Sequence, residues 1–210
     1  MPLALICAGK APEPVTRSQD TSLGHWCVGL GGRIRTVPSV SPLPRLTLVL
    51  GGARSGKSRY AQHRSETIDG RLAYIATAEA RDDEMHQRID RHRADRGERW
   101  FTIEAPLDLP AAIAEADAKA DAILVDCLTL WLSNLILADR PVPVDALERA
   151  MSECRHPIAL VANEVGFGIV PDNALARRFR DEAGRLNQRI AGVVDEVVLV
   201  AAGLPLSLKA

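Results

Sequence analysis

Leu46-Thr47-Leu48-Val49-Leu50-Gly51-Gly52-Ala53-Arg54-Ser55-Gly56-Lys57-Ser58 is the stretch on which the reading of this chain turns. An aliphatic, strand-forming run breaks into glycines and then into residues able to start a helix. That is the context in which G-x-x-x-x-G-K-[ST] counts as a phosphate-binding loop. Gly51 and Gly56 permit backbone turns closed to other residues, so successive N–H groups surround a polyphosphate while the following helix aims its positive end at it. Lys57 adds a point charge for the terminal phosphates, and the Ser58 hydroxyl suits Mg²⁺ ligation.

Downstream of this loop the sequence alternates. Short aliphatic runs at 46–50, 72–76, 122–125, 158–162 and 196–201 predict strands buried on both faces of a parallel sheet. Between them, 57–67, 82–94, 107–119, 128–138, 144–154 and 174–193 predict helices, with Pro or Gly at several edges. The alternation implies an α/β fold, a mostly parallel doubly wound sheet with helices on both faces, whose ligands sit at the carboxyl ends of the strands.

Upstream, residues 1–44 have a different composition. Pro, Ser, Gly and Thr recur without a lasting apolar period, which predicts a disordered or loosely attached tail, or a mis-assigned start, before a domain spanning 45–210. The chain has 210 residues, 47% of them hydrophobic, enough for one sizeable core. Its 26 basic and 27 acidic residues are nearly balanced, which argues against nucleic-acid or membrane-surface binding. Cys7, Cys27, Cys127 and Cys154 lack metal-ligand spacing and read as reduced thiols. With no bilayer-length apolar run and no signal peptide, the expected setting is cytoplasmic.

Residues following the strands are the ones to read for chemistry. Asp126 closes the run Ala122-Ile123-Leu124-Val125 and suits either an Mg²⁺ ligand or a cap on the next helix; beside the glycine loop the metal reading leads. The stretch 163–171, NEVGFGIVP, suits a ligand-touching loop or an ordinary surface connection. Arg177, Arg178, Arg180, Arg185 and Arg189 crowd one predicted helix, where acidic neighbours make solvated ion pairs the simpler expectation for most. The densely charged 82–96 segment is expected to lie over the sheet edge near the ligand cleft. His92 stands there between Arg91 and Arg93, which favour a neutral imidazole. Such a ring is competent as a nucleophile toward phosphorus, although by itself the pattern better describes a solvated histidine.

Taken together, GGARSGKSRYA at 51–61, AYIATAEARDDEMHQRIDRHRADRGERW at 73–100, ILVDCLTLWLSNL at 123–135, NEVGFGIVP at 163–171 and FRDEAGRLNQRIA at 179–191 resemble the bifunctional adenosylcobinamide kinase / adenosylcobinamide-phosphate guanylyltransferase family of cobalamin biosynthesis. The likeness runs from about residue 46 to the C-terminus, and its motifs fall in the family's order. It implies a RecA-like P-loop NTPase domain, Mg²⁺, GTP and ATP as substrates, and adenosylcobinamide and its phosphate as acceptors. It further implies a GMP-histidine intermediate, which places the catalytic imidazole at His92, and a homo-oligomer, a trimer.

Position by position, the resemblance assigns the nucleotide site to Gly51, Gly52, Ala53, Arg54, Ser55, Gly56, Lys57 and Ser58, with Lys57 also catalytic. It adds Thr77, Ala78 and Glu79 after the second strand, then Arg93, Ala94, Asp95, Arg96 and Glu104 toward guanine nucleotide, and Asp126 by the phosphates. Ser58 and Asp126 form the metal set. Residues 1–44 have no counterpart in the family. Two other readings share the loop: another small-molecule P-loop kinase, and a nucleotide-dependent switch protein. Covalent capture of GMP separates both from the family activity.

Overall fold

A computed structural model describes residues 43–78 and 97–210. The helix expected over 82–94 and the tail assigned to 1–44, apart from Leu43 and Pro44, lie outside the described residues. Leu43 is buried, packed in a core cluster with Val49 and Ala61.

The elements are β1 (Leu46–Gly51), α1 (Lys57–Ser65), β2 (Leu72–Ala76), β3 (Trp100–Glu104), α2 (Leu109–Asp117), β4 (Ala122–Asp126), α3 (Leu128–Leu137), α4 (Val144–Glu153), β5 (Ile158–Asn163), α5 (Ala174–Val193), β6 (Glu196–Ala201) and β7 (Leu204–Lys209). They build one seven-stranded sheet in the order β3-β2-β4-β5-β1-β6-β7. Every pair is parallel except β6–β7. The five expected strands are all present, and β3 and β7 are additions to them.

The aliphatic runs are central because both of their faces are covered. From β1, Leu46, Leu48 and Leu50 enter the cluster that includes Trp131, Leu147, Met151 and Ile190 of α3, α4 and α5, while Val49 faces the cluster holding Ala61 of α1. Chain direction explains the two faces. The crossover from β1 to β2 runs one way across the sheet, and those from β3 to β4, β4 to β5 and β5 to β6 run the other way. Right-handed crossovers therefore put α1 on one face and α2 to α5 on the opposite one. Strand β5 lies between β1, which feeds the glycine loop, and β4, which ends at Asp126, as in a RecA-like P-loop domain.

At the foot of the sheet α1 is pinned to β6 by Arg64, whose Nη2 lies 2.9 Å from Glu196 Oε2 and whose Nη1 donates to the Tyr60 hydroxyl at 2.7 Å. The arginine is 3% exposed. Glu196→Gln leaves that guanidinium buried beside a neutral partner, and the expected cost is about 3 kcal/mol. Urea unfolding should show a lower midpoint at an unchanged slope.

Candidate active site

The glycine loop leaves β1 at Gly51, whose carbonyl accepts from the Glu164 N–H at 3.1 Å. A Cβ at Gly51 would stand 2.5 Å from Ser55 Oγ and 2.6 Å from the Val200 carbonyl oxygen, and the second of these is backbone that cannot step aside. Only glycine fits. Gly56 precedes α1 with φ 95°, the left-handed region that glycine enters without penalty. No side chain caps the start of α1 and no acid stands in its first turn, so the helix presents its N–H groups and positive end to an anion.

The loop is braced from outside by the turn between β6 and β7. Ala202 and Gly203 both have positive φ, and the Gly203 N–H donates to the Ser55 carbonyl at 2.8 Å. Lys57 is buried at 8% exposure, and its Nζ donates to the Gly52 carbonyl at 3.1 Å, which folds the ammonium back over the loop. Gly52, Ala53, Arg54 and Gly56 are exposed, whereas Ser55 and Ser58 are half-buried.

Asp126 is itself the last residue of β4, in register with Ala76 of β2 and Val161 of β5. The Tyr74 hydroxyl donates to its Oδ2 at 3.2 Å. Lys57 and Asp126 act electrostatically on the same group, the buried Cys127 thiol. Burial pushes that thiol up to about 11, the Asp126 charge adds to the rise, and α3 amides and Lys57 oppose it. At neutral pH it is a neutral thiol, so Cys127 is no nucleophile despite its position.

The fit to Mg²⁺ rests on donor chemistry. Among the described residues no group of three or more His, Cys, Asp or Glu could cage a metal. One carboxylate and one hydroxyl, Asp126 and Ser58, are hard oxygen donors of the kind Mg²⁺ takes alongside substrate phosphates and water. The residues present therefore fit this ion.

Thr77 follows β2 directly. It is fully buried, and its hydroxyl accepts from the Cys127 N–H and donates to the Cys127 carbonyl, both at 2.8 Å. The side chain thus ties the end of β2 to the start of α3. Ala78 is half-buried beyond it. Glu104 is exposed at the end of β3, four strands from β1. At the ordinary strand spacing that is about 19 Å from the glycine loop, too far for a shared phosphate contact and suited to the distal part of a nucleotide or to a second substrate. Glu79, His92, Arg93, Ala94, Asp95 and Arg96 lie outside the described residues.

Two neighbours of the site were absent from the sequence-level set, Tyr74 and Glu164. The amide of Glu164 is fixed against Gly51, and its Oε1 accepts from the Gly166 N–H at 2.6 Å. The stretch NEVGFGIVP offered the signal for Glu164, whereas nothing in sequence marked Tyr74. Three of the five helix arginines make ion pairs: Arg185 binds Glu182, Arg180 binds Asp181, and Arg189 binds Asp145 and Glu148, while Arg177 donates to the Pro171 and Asp172 carbonyls. A cavity of about 580 Å³ lies elsewhere, between α3, α5 and residues 142–144, and includes none of the loop residues. Its two arginines, Arg185 and Arg189, are already paired.

A family model described as cobinamide kinase / cobinamide phosphate guanyltransferase matches residues 47–208. The bifunctional adenosylcobalamin biosynthesis protein CobP of Pseudomonas aeruginosa is 48% identical over 166 residues, covering 77% of this chain and 96% of that protein. Two proteins named bifunctional adenosylcobalamin biosynthesis protein CobU also match. That of Salmonella typhimurium is 43% identical and that of Escherichia coli 38%, each covering 78% of this chain and 99% of its own length.

Proposed function

The chain belongs to the cobinamide kinase / cobinamide phosphate guanyltransferase family, and from that membership we propose how the site divides its two activities. The protein is a bifunctional enzyme of cobalamin biosynthesis, a kinase and a nucleotidyltransferase. In the first reaction the aminopropanol hydroxyl of adenosylcobinamide attacks the γ-phosphorus of a nucleoside triphosphate, and the diphosphate leaves. In the second, a His92 imidazole nitrogen attacks the α-phosphorus of GTP and expels pyrophosphate. The phosphate oxygen of adenosylcobinamide phosphate then displaces the imidazole to give adenosylcobinamide-GDP.

The observation that carries this assignment is the glycine loop itself, with Lys57 folded onto Gly52 at the uncapped start of α1. Phosphoryl transfer asks for positioning and charge stabilisation, which this arrangement supplies without a covalent residue. Guanylyl transfer through an enzyme adduct needs a nucleophile, and the family resemblance assigns that role to the imidazole of His92. When bound, Mg²⁺ would neutralise phosphate charge, held by Ser58 and Asp126.

Family likeness also motivates a homo-oligomer, a trimer. Its support here is the apolar surface of Phe167, Ile169 and Val170 and of Leu204, Leu206 and Leu208 on β7, all exposed. Among the described residues no helix is long and apolar enough to cross a membrane.

The test is incubation with GTP labelled on the α-phosphate plus Mg²⁺, without corrinoid, followed by denaturing electrophoresis. The expected result is a protein-bound label, stable to base, labile to acid, and chased off by adenosylcobinamide phosphate. Failure of the label to appear would favour another small-molecule kinase or a switch protein.

A further inference from the structure

We propose that Thr77 is a positioning residue that fixes the backbone from which Asp126 projects, a role that rests on reading Asp126 as the acid at the metal-triphosphate site. Strand β4 ends at Asp126, and at the next residue the backbone leaves the sheet to start α3. That departure strips the Cys127 amide of ladder pairing while the residue stays 4% exposed, so its polar groups need partners inside the protein.

Thr77 supplies them. Its hydroxyl accepts from the Cys127 N–H and donates to the Cys127 carbonyl, and its own N–H donates to the Asp126 carbonyl at 3.3 Å. The hydroxyl has one proton, and that proton is committed to the Cys127 carbonyl. Asn134 of α3 extends the clamp: its Nδ2 donates to the Thr77 carbonyl at 2.8 Å and to the Pro106 carbonyl at 3.1 Å. Segments following β2, β3 and β4 are thereby tied together at one end of the sheet through two buried side chains.

The energetic weight falls on the Cys127 N–H. Its carbonyl also receives the Trp131 N–H at 3.1 Å and keeps a partner if the hydroxyl is removed. With valine at 77 the amide would be left facing a methyl group, and the strand end would shift to find another acceptor. Displacements of about 1 Å at a reacting centre cost on the order of a hundredfold in rate, so a modest shift of the Asp126 carboxylate is enough to register.

The experiment compares Thr77→Val, Thr77→Ser and Asp126→Asn with the parent enzyme. Mn²⁺ binding is measured by electron paramagnetic resonance in the presence of a non-hydrolysable GTP analogue, and kinase kinetics are measured in parallel. Thr77→Val is expected to weaken Mn²⁺ binding about tenfold and to lower kcat by a similar factor, with the triphosphate KM held within about threefold. Thr77→Ser, which keeps the hydroxyl, should stay within about threefold of the parent in every readout.

A folded Thr77→Val enzyme that binds Mn²⁺ like the parent, while Asp126→Asn does not, would overturn the role of Thr77 and leave Asp126 in place. Normal Mn²⁺ binding in Asp126→Asn would overturn the reading of Asp126, and the proposal with it. Should Thr77→Val lose cooperative unfolding, Asn134→Ser carries the test: about tenfold weaker Mn²⁺ binding supports the clamp and binding within about threefold of the parent refutes it.

Discussion

Lys57→Ala is expected to lower both the kinase and the guanylyltransferase rates by about a thousandfold, the scale seen when one preorganised electrostatic contact to a developing charge is removed. The lysine is the first residue of α1, held over the loop by its bond to the Gly52 carbonyl. A bound triphosphate would compete for that ammonium, exchanging a neutral carbonyl acceptor for charged oxygens. Alanine removes the charge while keeping a good helix former at the helix start, so the fold should survive. Arginine does not substitute, since a planar fork cannot occupy the place of a compact ammonium at this buried position. Rates of both half-reactions and triphosphate affinity by equilibrium titration check the point. Unchanged affinity together with unchanged rates would remove the loop from the active site.

His92→Ala is expected to abolish the covalent GMP adduct entirely while leaving measurable kinase activity. The asymmetry follows from chemistry. Alcohol phosphorylation is a direct displacement, in which the enzyme lends geometry and charge, whereas the guanylyl route stores GMP on a side-chain nitrogen between two displacements. A phosphorus–nitrogen bond is cleaved by acid and resists base, which tells it apart from a serine ester or an acyl phosphate. Mass analysis of the labelled peptide in the parent enzyme should place the added GMP on the segment containing His92. An adduct of the same stability persisting in His92→Ala would transfer the role to another side-chain nitrogen, a histidine or a lysine.

Much of this architecture could be read from the residues in order. The five aliphatic runs gave strands because both faces are covered, so local hydrophobicity and tertiary burial agree. Three of those strands extend one residue beyond the aliphatic run, into Gly51, Asp126 and Asn163, so functional positions terminate the strands rather than follow them. Strand β3, WFTIE, carries no aliphatic run because its residues are half-buried or exposed, and among the described residues it pairs only with β2. Strand β7, LPLSLK, carries Pro205, which argues against a central strand and is tolerated at an edge.

The site was legible where it is local, in the eight residues from Gly51 to Ser58. It was illegible where it depends on partners far along the chain. The hydroxyl of Thr77 meets Cys127 fifty positions later, and the Ser55 carbonyl meets the Gly203 N–H at the far end of the chain. Periodicity and motif spacing carry no record of such pairs.

Strand β1 is paired on one side with β5 and on the other with β6, and the turn at Gly203 props the loop that β1 launches. During synthesis the phosphate motif emerges early, yet both strands that flank β1 and the turn that props the loop are translated more than a hundred residues afterwards. A ribosome must finish nearly the whole polypeptide before this tertiary support exists, so a nascent chain cut short of β5 is expected to hold GTP more weakly than the complete one.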